Sequence, residues 1–517
     1  LMMGASILVS LFAAKVAAGV GRDLRKRVFN KVVSFSNAEM DKFSTASLIT
    51  RSTNDIQQVQ MVEVMLLRMV CYAPIIGIGG VFKVLSTKTG MSWIIVVAVA
   101  AIMALVLVLM ALAMPKFKKM QDLVDRLNLV SREILTGIPV IRAFSREKHE
   151  EQRFDVANTN LMQTQLFTNR VMTFMMPAMM FIMNGISVLI VWTGAHGINH
   201  GNLQVGDMMA FITYTMQIVM AFLMLTMISI MLPRAGVAAD RIDEVLKTEP
   251  SINDAKQVRD DELKDARGCV EFKDVCFRYP GADEDALEHI SFTARPGETT
   301  AIIGSTGCGK STLIHLIPRF YDVTGGAITI DGIDIRELSR NKVRSLLGFV
   351  PQKGVLFSGT IESNLKFGGD WITDEAMESA AGVAQATEFI ETKKDRYQSP
   401  IAQGGTNVSG GQKQRLSIAR ALVKKANVYL FDDSFSALDF KTDQALRKAL
   451  KEKVGDSTII IVAQRINTVL DADQIVVMDE GHMAGIGTHE ELMQSCEVYK
   501  EIALSQLSEE ELERGRK

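Results

Sequence analysis

The stretch TTAIIGSTGCGKSTLIHLI, residues 299–317, decides the fold of the second half of the chain. Thr299–Ile303 has the apolar, β-branched character of a buried strand, and the residues after Lys310 have a helical pattern. Between them Gly304-Ser305-Thr306-Gly307-Cys308-Gly309-Lys310-Ser311 matches GxxxxGK[ST], with Thr312 following. The glycines let successive N–H groups turn inward on phosphate oxygens, Lys310 reaches the β and γ oxygens, and the Ser311 hydroxyl ligates magnesium. Strand, phosphate loop and helix in that order predict an α/β P-loop nucleotide-binding domain whose ligands are ATP and Mg2+.

Further along, VYLFDD gives a strand that ends in Asp432, placed to hold the magnesium shell. Asp433 follows it, where a longer Glu is the expected partner for activating water. Between the two motifs NVSGGQKQR, Asn407 to Arg415, opens the helical run LSIARALV. Ser409, Gly410 and Gly411 put a hydroxyl and bare amides at a helix N-terminus, which favours an anion in front of it. An ordinary glycine-rich cap uses the same residues, so the two flanking phosphate motifs carry the functional reading.

The rest of the chain has different chemistry. At 517 residues and 57.0 kDa it is too long for one ordinary domain. A formal net charge of -2 and a hydrophobic fraction of 48% argue against nucleic acid as a partner and against disorder. Of 29 Met residues, 25 precede residue 235, whereas the glycine loops and paired acids follow residue 300, which marks two distinct halves. Cys71, Cys269, Cys276, Cys308 and Cys496 form no CxxC pair and have no His at ligand spacing, so reduced thiols are expected rather than zinc or disulfides.

Apolar runs long enough to cross a bilayer, about 20 residues each, cover Leu1–Val20, Met65–Val84, Met91–Met114, Thr173–Trp192 and Val205–Leu232. Arg22 to Asn54 and Lys116 to Arg170 are rich in Lys and Arg, while Gly194–Gln204 has neither, so the two basic connections face the cytoplasm. Trp93 and Trp192 fall near the outer ends of their spans, where interfacial aromatics belong. With the C-terminal half cytoplasmic, five crossings leave the N-terminus outside, and a further helix before Leu1 is expected. Arg22–Ala73 and Val140–Met176 contain neither Gly nor Pro, so the helices are expected to continue into the cytoplasm. Gly137-Ile138-Pro139 is the one break, predicted to form a short crossing element that presses on another domain.

These residues together resemble a half-transporter of the ATP-binding cassette (ABC) exporter family, over essentially the whole chain. The resemblance rests on GSTGCGKST (Walker A), VPQ with Gln352 (Q-loop), NVSGGQ through Gln412 (signature), YLFDD (Walker B), SALD with Asp439 (D-loop) and Tyr279 in FRYPG. RDLRKRVFNKVVSF, LITRSTNDI, REILTGIPVIRAF and VGDMMAFITY carry it in the membrane half. It implies an all-α transmembrane domain over residues 1–250, a linker over 251–267, a nucleotide-binding domain over 268–505 and a charged tail over 506–517. It further implies a multi-pass protein of the plasma or inner membrane. Tyr279 would stack on adenine, Gln352 would join Ser311 and Asp432 at magnesium, and Ser409 to Gln412 would face ATP bound to a second half-transporter.

Three positions depart from the family pattern. Asp433 stands where the family has a general-base Glu, Gln464 in IIIVAQR replaces the switch His, and Gln403 takes a position that is often acidic. A carboxylate one methylene shorter retreats by roughly 1 Å, a misplacement that costs on the order of 100-fold in rate. Glutamine hydrogen-bonds but cannot carry a histidine's charge. The pattern resembles the degenerate-site subunit of heterodimeric multidrug exporters, which binds ATP but turns it over slowly. Met-rich spans such as VMTFMMPAMMFIM, with Asn184 and Gln217 inside membrane segments, fit a lipophilic small-molecule substrate. A binding-gated regulatory or channel-like subunit and a homodimeric lipid or peptide exporter are the alternatives.

Overall fold

The computed structural model describes residues 2–506 except 71, 87–89 and 202. Cys71 and, beyond Gln506, the expected charged tail lie outside the described residues. The chain folds into two compact units, residues 1–31 with 46–247, and residues 32–45 with 248–517.

The first unit is helical: α1 (Met2–Val33), α3 (Thr45–Thr50), α4 (Ile56–Met69), α5 (Tyr72–Ser86), α6 (Ser92–Ala143), α7 (Glu147–Asn199) and α8 (Val205–Lys247), while the short α2 (Asn37–Lys42) belongs to the second unit. A π-helical turn, Arg51–Asp55, joins α3 to α4. Among the described residues five helical stretches are long and apolar enough to span a membrane. Their large apolar side chains stay open to the surroundings, Phe181 at 81% exposure and Val96 at 69%, which only lipid or another subunit can cover. A smaller core, Val84, Ile94, Ile95, Ile186, Ile190, Phe211 and Ile218, packs α5 to α8 against one another.

One expectation fails here. Gly137–Pro139 does not break the chain: α6 runs through Pro139 to Ala143, and the reversal comes at Phe144–Arg146, with Ser145 in the left-handed region at φ 51°. Pro115, Pro177 and Pro233 likewise sit inside helices. Packing of these long helices on their neighbours, α6 on α7 and α8 on α5, compensates for the one backbone bond each proline removes. The glycine-free stretch after Arg22 starts helical, as expected, with α1 running on to Val33. It turns at Ser34–Ser36, where Ser36 caps α2 through a capping box with Glu39.

That short helix is fastened within the second unit. Glu39 accepts from Ser36 N at 2.8 Å and from Ser251 N at 3.0 Å, the Ser36 and Ser251 hydroxyls meet at 2.9 Å, and the Tyr321 hydroxyl donates to Asp41 at 2.8 Å. The segment read as a linker is also held down: Arg259 pairs with Glu337, Asp260 accepts from Ser339 N and its hydroxyl, and Asp254 pairs with Arg340.

The α/β body of this unit has a six-stranded sheet in spatial order His482–Gly487, Gln474–Asp479, Thr299–Gly304, Thr458–Val462, Val428–Asp432 and Leu347–Val350. The five strands from Gln474–Asp479 to Leu347–Val350 pair in parallel, and the strands Val428–Asp432 and Thr458–Val462 are buried along their whole length, as their apolar runs require. A four-stranded antiparallel sheet, Leu287–Ala294, Val270–Phe277, Gly325–Ile330 and Ile333–Asp334, packs beside it.

Candidate nucleotide site

Parallel strands in register bring their carboxyl ends together, and ligands bind there. Ile302 lies opposite Val462, and Val462 opposite Asp432, so Gly304, Asp433 and Gln464 emerge at one edge of the sheet. Two of the loop's glycines leave no room for a side chain. A Cβ on Gly304 would meet the Met478 carbonyl oxygen at 2.1 Å, and Gly309, at φ 96°, would strike Leu287 at 2.7 Å.

Lys310 is buried and folds its ammonium back over the loop, donating to the Gly304 and Ser305 carbonyls at 2.8 and 2.6 Å and approaching Cys308 Sγ at 3.6 Å. These three partners are neutral, so the cradle holds a cation whose natural complement is phosphate. Ser311 Oγ donates to Asp432 Oδ1 at 2.8 Å. A hydroxyl and a carboxylate side by side are hard oxygen donors that fit Mg2+ sharing its shell with phosphates and water. Among the described residues no cluster of three His, Cys, Asp or Glu forms an all-protein metal cage.

Asp433 is treated differently. Its backbone is left-handed at φ 46°, a conformation Asp tolerates better than most residues. Its Oδ2 accepts from Gln464 Nε2 at 2.9 Å and lies 3.4 Å from Gln352 Nε2. Burial pushes its pKa above the ordinary carboxylate value, with the neighbouring Asp432 charge adding to the rise, against opposing hydrogen bonds from Gln352 and Ser436 and the Lys310 charge. The structure thus joins three residues singled out separately in sequence: Asp433, Gln464 and Gln352.

The other singled-out residues lie around this centre. The Tyr279 hydroxyl meets Thr312 Oγ1 at 2.8 Å, and its ring packs edge-on against Phe277 and Tyr321. Ser409 caps the helix Gly410–Leu422 in a reciprocal box with Gln412, at 3.3 and 3.1 Å, and Ser409 and Gly410 are exposed. That helix touches the Gln352 loop, since Gln414 donates to the Pro351 carbonyl and a Cβ on Gly354 would meet Ser417 Oγ at 2.9 Å. Gln403 is exposed in a 3-10 turn, and Asp439 caps the helix Phe440–Val454.

Sequence reasoning missed His315, whose Nε2 lies 3.3 Å from Asp432 Oδ2. Its place five residues after Lys310, on a helix beside the strand of Asp432, carried no local signal. Sequence reasoning also missed the fastening of α2, although Ser36-x-x-Glu39 is a legible capping box.

Comparisons with known proteins agree along the whole chain. A family model described as ABC transporter transmembrane region matches residues 1–222, and one described as ABC transporter matches residues 287–436. The chain is 42% identical over 496 residues to an uncharacterized ABC transporter ATP-binding protein of Mycobacterium tuberculosis, covering 95% of this chain and 85% of that protein. It is 30% identical over 508 residues to the ATP-dependent lipid A-core flippase of Aromatoleum aromaticum, covering 97% of this chain and 83% of that one. A solved bacterial Atm1-family ABC exporter with ATP bound matches with a TM-score of 0.78 and 27% identity, over 96% of this chain and 86% of the other.

Proposed function

The chain belongs to the ABC transporter family as an exporter half-transporter, and from that premise we propose that it is the degenerate-site subunit of a heterodimeric exporter of drugs or lipophilic compounds. Exporters of this family are multi-pass membrane proteins that work as dimers, with nucleotide-binding domains in the cytoplasm and ATP hydrolysis driving export.

In this reading the domains run over residues 1–250 and 268–505, joined by 251–267. Gly304 to Thr312 bind the phosphates, with Lys310 on the β and γ oxygens, and Tyr279 faces adenine. Ser311, Asp432 and Gln352 hold magnesium, which when bound neutralises charge building on the phosphates. Ser409, Gly410, Gly411 and Gln412 present a hydroxyl and free amides to ATP on the partner half-transporter.

The observation that carries the proposal is the 2.9 Å hydrogen bond from Gln464 to Asp433. A general base must reach the proton it takes. Here the carboxylate is short, is engaged by an amide, and stands beside a switch residue without a titratable ring. The signature cap, by contrast, is complete. Purified alone, the chain should retain ATP with turnover far below that of a complex carrying Glu and His at the matching positions. Brisk turnover by the lone chain would overturn the assignment.

A second reading, a homodimeric lipid exporter, is favoured by the similarity to the lipid A-core flippase. Co-purification separates the two: a different half-transporter recovered with the chain supports the heterodimer, and a self-paired complex that moves lipid supports the alternative.

A further inference from the structure

We infer that Gln506, at the end of the C-terminal helix Glu497–Gln506, is a positioning residue that braces the switch loop and sets the reach of Gln464. The inference rests on the proposed reading of Gln464 as the switch residue of the nucleotide site.

The helix is anchored by Tyr499 and Ala503, both fully buried, and packs on the strands Thr299–Gly304 and Gln474–Asp479 and on the turn Ile466–Val469. Tyr499, Ala503 and Gln506 stand at i, i+4 and i+7, so the face that anchors the helix also delivers the Gln506 carboxamide. That carboxamide makes a two-pronged contact with the loop: Oε1 accepts from Ile466 N at 2.8 Å, and Nε2 donates to the Gln464 carbonyl at 2.9 Å.

Both backbone groups need an outside partner. Ile466 N opens a helical turn whose preceding residue, Arg465, provides no side-chain cap. The rest of the loop is tied to the sheet and to the loop after Asp433: Ala463 N donates to the Ile302 carbonyl at 3.0 Å, and Arg465 donates to the Ser436 carbonyl at 3.1 Å. Gln506 fixes the peptide of Gln464 itself, from which the side chain extends to Asp433. Without it that peptide can turn, and the side chain turns with it.

The test uses the full chain in its native dimer in lipid nanodiscs and follows release of a fluorescent ATP analogue. Gln506→Ala should release nucleotide about fivefold faster, the scale of a lost hydrogen bond. Gln506→Glu, which keeps the acceptor for Ile466 N but loses the donor to Gln464, should fall between. In a Gln464→Ala background, Gln506→Ala should change release by less than about twofold, because the brace acts through that side chain. An equal effect in both backgrounds marks Gln506 as merely structural and overturns the inference. Silence of Gln506→Ala alone overturns the brace and leaves the site assignment standing. If Gln464→Ala also leaves release unchanged, the nucleotide-facing role of Gln464 falls with it.

Discussion

Asp432 and Asp433 are neighbours in the chain and opposites in setting. Asp432 ends a fully buried strand, takes the Ser311 hydroxyl at 2.8 Å and has His315 at 3.3 Å. Asp433 starts the next turn with left-handed backbone, and its partners are the Gln464 and Gln352 amides. One residue apart, Asp432 shares its carboxylate with Ser311 on the proposed phosphate-and-magnesium side, while on the proposed water side a short acid, Asp433, and an amide, Gln464, stand where a longer acid and an imidazole would act. On the proposed assignment, binding and turnover should be separable by mutation in this chain.

The largest effect should come from a residue on neither side. Ser409→Arg places a long cation at an exposed helix start built for an anion, and should abolish most ATPase activity of the paired transporter, a loss of roughly 100-fold. Asp433→Asn in the same chain should lower that activity only about two- to threefold, as a carboxylate that is not the base allows. Steady-state ATPase assays on the two variants decide the matter. If Asp433→Asn is the more damaging, the contrast between the two sides collapses and this subunit hydrolyses its own ATP.

The reverse experiment sharpens the contrast. Asp433→Glu with Gln464→His should raise single-turnover hydrolysis at this site by about tenfold, on the scale of a general base restored to reach. The gain should be smaller with Asp433→Glu alone, because Gln464 still cannot carry the charge of an imidazole. No gain in the double variant would mean that features beyond these two side chains silence the site.

The sequence spoke most clearly where a single backbone trick carries the chemistry. The loop at Gly304–Lys310 was legible because phosphate binding demands glycines whose replacement would collide with Met478 or Leu287. The membrane spans were legible because lipid demands long apolar helices. Reversals were not. Ser145 turns the chain without Gly or Pro, while Pro139, the expected breaker, lies inside a helix held by its neighbour. Contacts that join distant segments, such as Ser36 with Ser251 or Gln506 with Gln464, leave no periodic trace, because each depends on where two elements happen to pack.

Stability measurements probe the same contrast at smaller scale. Burial raises the pKa of Asp433, so its charged form costs the folded state free energy at neutral pH, a cost relieved as pH falls and the carboxyl takes up its proton. Asp433→Asn should therefore stabilise the nucleotide-free protein at pH 7 by about 1 kcal/mol, read as a higher unfolding temperature. The advantage should shrink on acidification. An advantage that grows toward low pH would contradict the buried-charge reading.

Glu39 should behave in the opposite sense, and its effect is the smallest. It is buried too, and burial alone would push its pKa up, but hydrogen bonds from Ser36 and Ser251 outweigh that and hold it below the ordinary value. A depressed carboxyl pKa means stability that is present above the unfolded-state pKa of about 4.3 and lost as pH falls through the folded value. Glu39→Gln keeps the shape but removes the charge that strengthens those bonds, and should loosen α2 from Ser251 at a cost of about 0.5–1 kcal/mol at pH 7. Hydrogen exchange at the amides of Ser36 and Ser251 reports that contact directly. Protection should fall in the variant at neutral pH, and variant and parent should converge only as pH falls below about 4.3 and through the depressed folded-state value. If protection at Ser251 does not change at pH 7, the Glu39 charge does not hold this helix in place.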